Sequence, residues 1–512
     1  MILRGRDYRD RGEALELRAD VVVVGSGAGG AVVARELARA GRSVVVLEEG
    51  GHYSPAEYGA MRPTESLRQL FRDSGLAVAT GFGDTPLISV LAGRCFGGSS
   101  VLTGGVCFRI PDDVLHDWGT RLELPRISPE ILAPRFEELE RELGVTAVPE
   151  GMRSRSTELF LEGADVLGIP MKPLRRNAPA CRGSSRCSFG CPSGAKRSVD
   201  VAVLPEAIAR GATVVCDAFV SRVVLKNGRA TGVRGCLLGP RGEPGPLLHV
   251  EAEDVVVACG SQHTPLLLRR SGISSPHLGR HLTLHPALRV GAIFDERVDG
   301  WDGAMQSAYS DHFAHEGITL IGIYSTPNLL AAALPGDHRA HKRLVEQLPH
   351  MAFFGAMVHD EGSGAIHRSL GREPFVTYRM AGRDRERLLR ALQILGEMAF
   401  AAGAREVLLP IFGVPPVRTR SALRRALEEM PSMRRVECAA FHPLGTARMS
   451  TSPDSGVVSR DGAVWGTTGL HVADGSILPS SIGVNSQLPV MTLALDIARG
   501  IATSRRPHAR AA

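Results

Sequence analysis

The sequence predicts an α/β fold in which a Rossmann-like domain occupies part of a chain long enough for two domains. Residues 21–50 read as a buried strand, a glycine-rich turn, a helix, a second strand and an acid, which together make one βαβ half-unit. Hydrophobic residues make up 44% of the 512 residues and charged residues 22%, as in ordinary globular proteins. A chain of this length exceeds a single hydrophobic core, so two intertwined or successive domains are expected.

The turn after the first strand carries three glycines at the G-x-G-x-x-G spacing of a dinucleotide-binding motif. Gly25 permits the tight turn from strand to helix, Gly27 lets the backbone approach a pyrophosphate, and Gly30 lets the helix pack close to the sheet. Backbone N–H groups at the start of the helix point at the bound anion. The predicted cofactor contacts in this turn are therefore Gly25, Gly27, Ala28, Gly29 and Gly30.

An acid completes the same unit. Glu48 ends the second strand about twenty residues past the glycines, where a carboxylate accepts the ribose 2′-hydroxyl and disfavours a 2′-phosphate. The agreement of both strands, the helix and the acid predicts dinucleotide binding. A glycine-rich turn that serves packing alone is the alternative.

Composition and charge exclude several other classes of function. The net charge is +6 and no run of basic residues is interleaved with aromatics, so we expect no nucleic-acid partner. No window reaches about eighteen uninterrupted apolar residues, so no membrane span is expected. Residues 1–20 are charged throughout and lack an apolar segment that could act as a signal peptide, which predicts a cytoplasmic location.

A second glycine cluster lies between residues 93 and 109. Glycine this dense suggests backbone lying against a flat ligand, because side chains would hold the ligand away. A loop packed on the first glycine turn is the alternative. The segment resembles the first signature of the glucose-methanol-choline (GMC) oxidoreductases, flavoproteins of α/β architecture. The resemblance implies that this loop wraps the FAD pyrophosphate and the edge of the isoalloxazine ring through Gly97, Gly98, Thr103, Gly104 and Gly105.

Two positions of this loop depart from the family pattern. Thr103 stands where most members have Asn, and Leu102 stands where some members have the His that is covalently linked to the flavin. The resemblance therefore implies FAD that is bound without a covalent link.

Three cysteines, Cys181, Cys187 and Cys191, follow within one loop at C-x5-C-x3-C-P spacing. Three close cysteines followed by proline can hold an iron–sulfur cluster, and the spacing resembles that of FAD-dependent sugar dehydrogenases with a three-iron cluster. Long-chain alcohol oxidases of the GMC family have similar loops that serve packing at the FAD site. A cluster, a disulfide and a reduced structural loop are the alternatives, and we predict the reduced loop without a metal.

Period-two apolar runs between residues 212 and 257 predict a β-meander inserted into the first domain, with Asn227-Gly228 as a hairpin turn. In the resembled family the residue at Val220 lies over the adenine and contacts its edge through the backbone. A further buried strand ends at Gly260, in a segment similar to the second GMC signature. There the turn is expected to approach the cofactor and a helix to start near Pro265.

The glycine motifs stop between about Arg289 and Met433, where strand-like apolar runs and an amphipathic helix at 385–404 appear. In GMC proteins the matching region forms an antiparallel sheet that roofs the flavin and shapes the substrate site. The resemblance thus implies a Rossmann-like FAD-binding domain and a mixed α+β substrate-binding domain built on an antiparallel sheet. The expected ranges are 1–110, 176–288 and 434–512 for the first domain and 111–175 and 289–433 for the second.

The final segment resembles the C-terminal GMC signature, and its residues are most similar to those of cholesterol oxidases and long-chain alcohol oxidases. It contains His442 in F-H-P-L-G-T, Asp474 and Gly475 in V-A-D-G-S, and Asn485 in G-V-N. The resemblance places Asp474, Gly475 and Asn485 at the cofactor. A closing helix over 489–502 is expected to direct its positive N-terminus at the flavin.

Alcohol oxidation needs a base that takes the hydroxyl proton as hydride leaves the adjacent carbon, because an alkoxide expels hydride more readily than an alcohol does. Histidine suits this role, since its unperturbed pKa is about 6.5. The motif around His442 matches the family base, and Asn485 matches the partner that donates to the substrate oxygen. Ser486 stands where similar enzymes usually have Pro. His263 and His285 are the next candidates for the base.

The predicted function is FAD-dependent oxidation of an alcohol to an aldehyde or ketone by hydride transfer to flavin N5. The segments at Asp360 and Tyr378 look most like the long-chain alcohol and sterol-oxidising branch, which suggests a bulky or apolar alcohol. The alternatives are a lyase that keeps FAD without net redox, an iron–sulfur FAD sugar dehydrogenase, and a non-catalytic FAD-binding or electron-transfer subunit. Oxygen and an external carrier are both open as electron acceptor, and the sequence does not indicate the oligomeric state.

Overall fold

The computed structural model describes residues 1–324 and 326–504, in which the strands form two large sheets and one two-stranded sheet. The strands are, in chain order, β1 (Ile2–Arg4), β2 (Leu15–Val24), β3 (Val44–Leu47), β4 (Val78–Gly81), β5 (Ile88–Val90), β6 (Thr146–Ala147), β7 (Lys172–Pro173), β8 (Arg175–Arg176), β9 (Thr213–Cys216), β10 (Ala218–Lys226), β11 (Arg229–Leu238), β12 (Pro244–Val257), β13 (Ala287–Ile293), β14 (Ala308–Ser310), β15 (Ile318–Gly322), β16 (Met351–Val358), β17 (Ser363–His367), β18 (Phe375–Arg379), β19 (Glu406–Leu408), β20 (Cys438–Ala440) and β21 (Leu470–Val472).

Helices cover and connect the sheets. The α-helices are α1 (Gly5–Arg11), α2 (Ala28–Arg39), α3 (Pro55–Ala60), α4 (Pro63–Leu70), α5 (Asp112–Thr120), α6 (Pro129–Glu142), α7 (Arg155–Val166), α8 (Val199–Ala202), α9 (Leu204–Ala209), α10 (Gly260–Arg270), α11 (Pro327–Ala332), α12 (His338–Glu346), α13 (Gly382–Ala401), α14 (Arg420–Glu428) and α15 (Gln487–Ser504). The helices expected at 385–404 and 489–502 are confirmed as α13 and α15.

The first sheet is built around the predicted βαβ unit. Strands β1, β9, β3, β2 and β12 lie side by side and run parallel, and β21 pairs with the last residues of β12. The valines of β2 and β3 are buried because helices cover the sheet, with α2 packed against α15. The predicted α/β class with a Rossmann-like domain is confirmed.

The meander is confirmed in part, and two of its predicted strands belong elsewhere. β9 was expected in the meander, but it pairs parallel with β1 and β3 in the Rossmann-like sheet, where its valines are fully buried. The last strand of the predicted meander and the buried strand predicted before Gly260 are one long strand, β12. One edge of β12 pairs first with β11 antiparallel and then with β21 parallel, while β2 lines the other edge. Only β10, β11 and β12 form the antiparallel ladder, with the hairpin turn at Asn227-Gly228.

Helix α10 starts five residues before the predicted position, at Gly260, and contains Pro265 in its interior. A proline has no N–H for the carbonyl four residues earlier, so an internal proline normally breaks a helix. Here the carbonyl of Ser261 accepts a hydrogen bond of 2.6 Å from the Thr446 hydroxyl instead. The tertiary contact replaces the missing helical bond and lets the helix continue through Pro265.

The second sheet is mostly antiparallel, as the resemblance implies for the second domain. Its order is β17, β18, β4, β5, β20, β13, β16, β15, β14 and β7, with β19 added beside β13. The pairs β18 with β4 and β5 with β20 run parallel. Helices α7 and α13 pack on its face and share a hydrophobic core with it.

Each large sheet has its own hydrophobic core, and the cores suggest a revised domain division. Side chains of α5 and α6, which fall in the range 111–175 expected for the second domain, pack in the core of the first sheet. Strands β4 and β5, from the range 1–110, contribute instead to the second core. The domain ranges remain a prediction, and the packing favours moving these two segments across the boundary.

Candidate active site

A cavity opens at the carboxyl ends of β2, β3 and β12, where ligands bind in open α/β sheets. Fourteen of the seventeen predicted site residues line it: Gly25, Gly27, Ala28, Gly29, Glu48, Gly98, Thr103, Gly104, Val220, Gly260, His442, Asp474, Gly475 and Asn485. The other three, Gly30, Gly97 and Gly105, are each next in sequence to a lining residue. The structure therefore brings segments from five distant parts of the chain to one cavity.

Glycines around the cavity serve two different purposes. A Cβ on Gly25, which has φ 104°, would lie 2.2 Å from the carbonyl oxygen of Ala258, and a Cβ on Gly30 would lie 2.0 Å from that of Gly25. These two positions need glycine for backbone packing. A Cβ on Gly27 or Gly260 would meet nothing within 4 Å, so those positions leave open space beside the cavity. The cradle fits a phosphate group held against the N-terminus of α2.

The second glycine loop packs on the first glycine turn, and its contact with a flat ligand stays a prediction. A Cβ on Gly98 would come within 2.9 Å of the Gly27 Cα, and the Gly97 N–H donates to the Ser26 hydroxyl at 3.0 Å. Gly98, Thr103 and Gly104 nevertheless line the cavity. The loop is thus fixed by the first turn while part of its backbone faces the cavity.

Glu48 is buried at the cavity, and its carboxylate is held by neighbouring donors. It accepts from the Ser26 hydroxyl at 2.6 Å, from the Ser26 N–H at 3.1 Å and from the Gly50 N–H at 2.8 Å. Burial raises the pKa of the carboxyl, and these hydrogen bonds oppose that shift. Donors from the protein orient the side chain at the place where the sequence predicts a ribose.

His442 and Asn485, which are 43 residues apart in sequence, meet in the cavity. The Asn485 Nδ2 donates to His442 Nε2 at 3.1 Å, so Nε2 acts as an acceptor and the ring proton lies on Nδ1. Burial, with a further contribution from His285, lowers the pKa of His442 to about 3, well below the ordinary value that the sequence led us to expect. The imidazole is therefore neutral throughout the physiological pH range.

Polar atoms without partners point to what the cavity receives. Among the described residues, Asn485 Oδ1, His442 Nδ1 and the Gln487 Nε2 are buried without a hydrogen-bond partner. Unpaired buried polar groups are costly, each by about 1–3 kcal/mol. Their concentration at one end of the cavity fits a site where a polar cofactor or substrate supplies the missing partners.

Comparison with known proteins identifies the family. A family model for GMC oxidoreductases matches residues 19–287, and a second one matches residues 371–494. The chain belongs to the GMC oxidoreductase family. The predicted resemblance is confirmed, and membership makes the protein an FAD-dependent oxidoreductase that acts on CH–OH donors.

Relatives and solved structures match nearly the whole length of this chain. An uncharacterized GMC-type oxidoreductase of Mycobacterium tuberculosis is 42% identical over 483 residues, which cover 94% of this chain and 75% of that protein. A long-chain-alcohol oxidase of Arabidopsis thaliana is 30% identical over 529 residues, which cover 97% of this chain and 69% of that protein. The crystal structure of pyridoxine 4-oxidase from Mesorbium loti superposes with a TM-score of 0.72 at 21% identity, covering 94% of this chain and 98% of that one.

The remaining predicted candidates for the base are already engaged. His285 Nε2 accepts two backbone hydrogen bonds, from Ile482 at 3.1 Å and Gly483 at 3.2 Å. His263 Nε2 lies 3.2 Å from the Glu373 carboxylate. Of the three histidines, His442 alone has its ring nitrogen paired with the amide of Asn485.

Thr103, at the position where most GMC oxidoreductases have Asn, makes a contact that sequence reasoning missed. Its hydroxyl donates to Gln487 Oε1 at 2.9 Å, and Gln487 is the first residue of α15. This leaves the amide nitrogen of Gln487 free to donate into the cavity. The Thr and Gln side chains together supply an amide donor near the position of the usual Asn. The spacing of 384 residues hides the pair from sequence analysis.

The cysteine loop supports the second glycine loop through two buried cations. Lys196 Nζ donates to the carbonyl oxygens of Val101, Thr103 and Cys187 at 2.6–2.9 Å. Arg176 donates to the Gly104 carbonyl at 2.7 Å and to the Cys187 sulfur at 3.1 Å. The loop therefore holds the backbone of residues 101–104 in place at the cavity.

We expect protein purified without oxygen to contain negligible iron and acid-labile sulfide. Within residues 1–324 and 326–504, no group of three or more His, Cys, Asp or Glu side chains converges as a metal ion would require. Chemical assay of iron and sulfide checks this, with Cys187→Ser as the control that would remove a ligand. Stoichiometric iron and sulfide in the wild type, lost in the variant, would reverse the prediction.

An ion network closes the other end of the cavity with the loop between β17 and β18. Glu373 of this loop pairs with Arg72 at 3.1 Å and lies beside His263, while Arg72 pairs with Glu49 at 2.9 Å. Arg372 of the same loop stacks its guanidinium on the ring of Phe219, which lines the cavity. The second sheet thus reaches across to the nucleotide-binding end of the first.

Replacing Glu373 with Gln is expected to release FAD about threefold faster, because partly exposed ion pairs contribute less than about 1 kcal/mol. Stopped-flow fluorescence after dilution measures the release of the flavin. Arg368→Gln, in the same loop and without an ion pair among the described residues, is the matched control. Equal release rates in wild type and Glu373→Gln would show that the loop does not retain the cofactor.

No helix within residues 1–324 and 326–504 combines the length and apolar character that crossing a bilayer demands.

Proposed function

We propose that this protein oxidises an alcohol to an aldehyde or ketone, with His442 as general base and noncovalently bound FAD as hydride acceptor. The observation that carries the proposal is the His442–Asn485 pair, partly buried in the cavity lining with the base nitrogen in its acceptor form. A neutral acceptor nitrogen beside an amide donor is the arrangement that removes a proton from a hydroxyl and binds the oxygen left behind.

The residues of the cavity fit the cofactor of the family. Gly27 with the N-terminus of α2 would hold the pyrophosphate, Glu48 the ribose, and Val220 the adenine. When bound, FAD supplies a two-electron acceptor for hydride at N5. An aliphatic side chain, Leu102, offers no nucleophile for a covalent link, which supports noncovalent binding.

In the proposed mechanism, Asn485 orients the substrate hydroxyl by donating to its oxygen, and His442 Nε2 takes the hydroxyl proton. The low pKa of His442 means that its ring is a neutral proton acceptor at physiological pH. The proton leaves as hydride departs from the adjacent carbon, because an alkoxide expels hydride more readily than an alcohol does.

A bulky or apolar alcohol is the favoured substrate class. Phe441 and Leu91 line the same cavity as His442, and Phe441 is half exposed, so an apolar surface leads from solvent to the base. Relatives named as long-chain-alcohol oxidases support this class. The pyridoxine 4-oxidase neighbour makes an aromatic primary alcohol the second class to test.

Anaerobic mixing of the purified yellow protein with alcohols from methanol to sterols tests the proposal. We expect a bulky alcohol to bleach the flavin absorbance, and denaturation to release the flavin from the precipitated chain. A lyase or a non-catalytic FAD-binding subunit would not bleach with any alcohol. Admitting air afterwards distinguishes oxygen from an external carrier as the electron acceptor. Only an oxidase is expected to recover its flavin absorbance rapidly without an added carrier. The cytoplasmic location stays a prediction of the sequence.

A further inference from the structure

We propose that His285 is a positioning residue, which fixes the loop carrying Asn485 by accepting two backbone hydrogen bonds on one ring nitrogen. This inference rests on the proposed function, because it concerns the alignment of Asn485 with His442. His285 itself touches neither substrate nor cofactor in this role. The loop in question, residues 481–485, joins the segment after β21 to helix α15.

The contacts of His285 determine which form of the ring is present. Its side chain is fully buried, and Nε2 accepts from the N–H groups of Ile482 at 3.1 Å and Gly483 at 3.2 Å. A nitrogen that accepts two N–H donors carries a lone pair and no proton, so the proton of the neutral ring lies on Nδ1. The imidazole thus replaces a backbone carbonyl as the acceptor for the loop.

A second group fixes the same two segments and locks His285 in place. Asp360, which follows β16 of the second sheet, accepts from the His285 N–H at 3.2 Å and from the Ser481 hydroxyl at 2.8 Å through one oxygen. Its other oxygen accepts from the Leu284 N–H at 2.9 Å and the Tyr378 hydroxyl at 2.6 Å. The carboxylate of Asp360 therefore connects the backbone of Leu284 and His285 to Ser481 of the loop.

His285 lies close to both residues of the proposed mechanism, His442 and Asn485. Its ring centroid lies 5.4 Å from that of His442, and Gly483 is two residues before Asn485. Gly483 has φ 66°, a left-handed conformation that glycine adopts readily, and the hydrogen bonds to His285 hold the backbone at this turn. Loss of the two bonds to His285 would let Asn485 move relative to His442 without unfolding either sheet. Displacements of about 1 Å in an active site cost up to about 100-fold in rate.

Two substitutions at His285 test whether the hydrogen-bond acceptor at Nε2 matters, rather than the size of the side chain. In His285→Gln the amide oxygen reaches the position of Nε2 and accepts the same two N–H groups. In His285→Asn the oxygen is too short to reach them. Both side chains are polar and smaller than or similar to histidine, so the pair forms a matched test in the FAD-loaded full chain.

We expect His285→Asn to keep FAD but to reduce it about 10- to 100-fold more slowly at saturating alcohol, with a smaller change in the half-saturating concentration. Deuterium uptake of a peptide covering residues 480–486 is expected to rise in the same variant. His285→Gln is expected to restore both the amide protection and most of the rate. If His285 had only a structural role, both variants would lower the melting temperature, and they would not differ in amide protection or in flavin reduction rate.

Each result has a distinct meaning. If His285→Asn keeps wild-type amide protection in the 480–486 peptide and a wild-type rate, the positioning role is wrong while alcohol oxidation stands. If no alcohol bleaches the wild type, the proposed function fails, and amide exchange alone still decides whether His285 holds the loop. If His285→Asn does not fold, His285→Gln decides: exposed loop amides in a folded Gln variant overturn the proposal, and retained protection supports it.

Discussion

Replacing His442 with alanine is expected to leave the fold and FAD binding intact while slowing anaerobic flavin reduction by an alcohol at least about 100-fold. The reason is the environment of the ring. Nε2 is in its acceptor form beside Asn485, and burial keeps the imidazole neutral by lowering its pKa to about 3. Rapid mixing under anaerobic conditions measures the flavin reduction rate directly, without interference from the electron acceptor.

Two further variants make the result specific to the base. Asn485→Leu is expected to slow reduction less than His442→Ala, because it removes a hydrogen-bond donor and leaves the proton acceptor in place. His315→Ala changes a largely exposed histidine far from the described contacts of the cavity and should reduce at the wild-type rate. An unaltered rate in His442→Ala would end the mechanism proposed here. His263 would then be the remaining histidine in the cavity lining.

The Rossmann-like unit was predictable because its signals are local. Helix α2 begins and ends where the glycines and the following Gly41 indicate, and the two valine strands lie as expected on either side of it. Buried parallel strands are continuous apolar runs in the sequence, so they can be recognised without knowing which strands pair with them. The same rule explains why the valines of β9 were misassigned, since a short apolar run does not say which neighbour it joins.

Long-range contacts account for the errors. The strand β12 exchanges β11 for β21 as its neighbour on one edge, and no local residue marks that change. Helix α10 passes through Pro265 because Thr446, more than 180 residues away, takes over a carbonyl of Ser261. Local propensity predicted that the helix would start near Pro265, and the tertiary hydrogen bond lets it start five residues earlier.

The proposed catalytic pair was found by motif, whereas its environment was not. Resemblance to the family selected His442 and Asn485, but the pKa expected from an unperturbed histidine was wrong, because burial in the folded protein lowers it. The role of His285 was equally invisible, and it was proposed as a substitute base. Only the structure reveals that its lone pair already accepts from Ile482 and Gly483.

Replacing Gly27 with valine is expected to give a folded but colourless protein. Gly27 has φ −68° and ψ −169°, a backbone conformation open to any residue, and a Cβ there meets nothing within 4 Å. The side chain would instead project beside the cavity, at the N-terminus of α2, where the pyrophosphate is expected. We expect FAD affinity to fall at least about 100-fold, which corresponds to about 2.7 kcal/mol.

The matched variant Gly25→Val tests the other purpose of glycine in the same turn. Its φ of 104° and the 2.2 Å approach of a Cβ to the Ala258 carbonyl make the substitution incompatible with the backbone itself. We therefore expect Gly25→Val to lose structure by circular dichroism, and Gly27→Val to keep it while the flavin absorbance per chain disappears. Titration of the apoprotein with FAD then measures the affinity. A yellow Gly27→Val protein with full FAD would mean that the cofactor does not approach the backbone at this turn, because a valine side chain and a closely bound pyrophosphate exclude each other there.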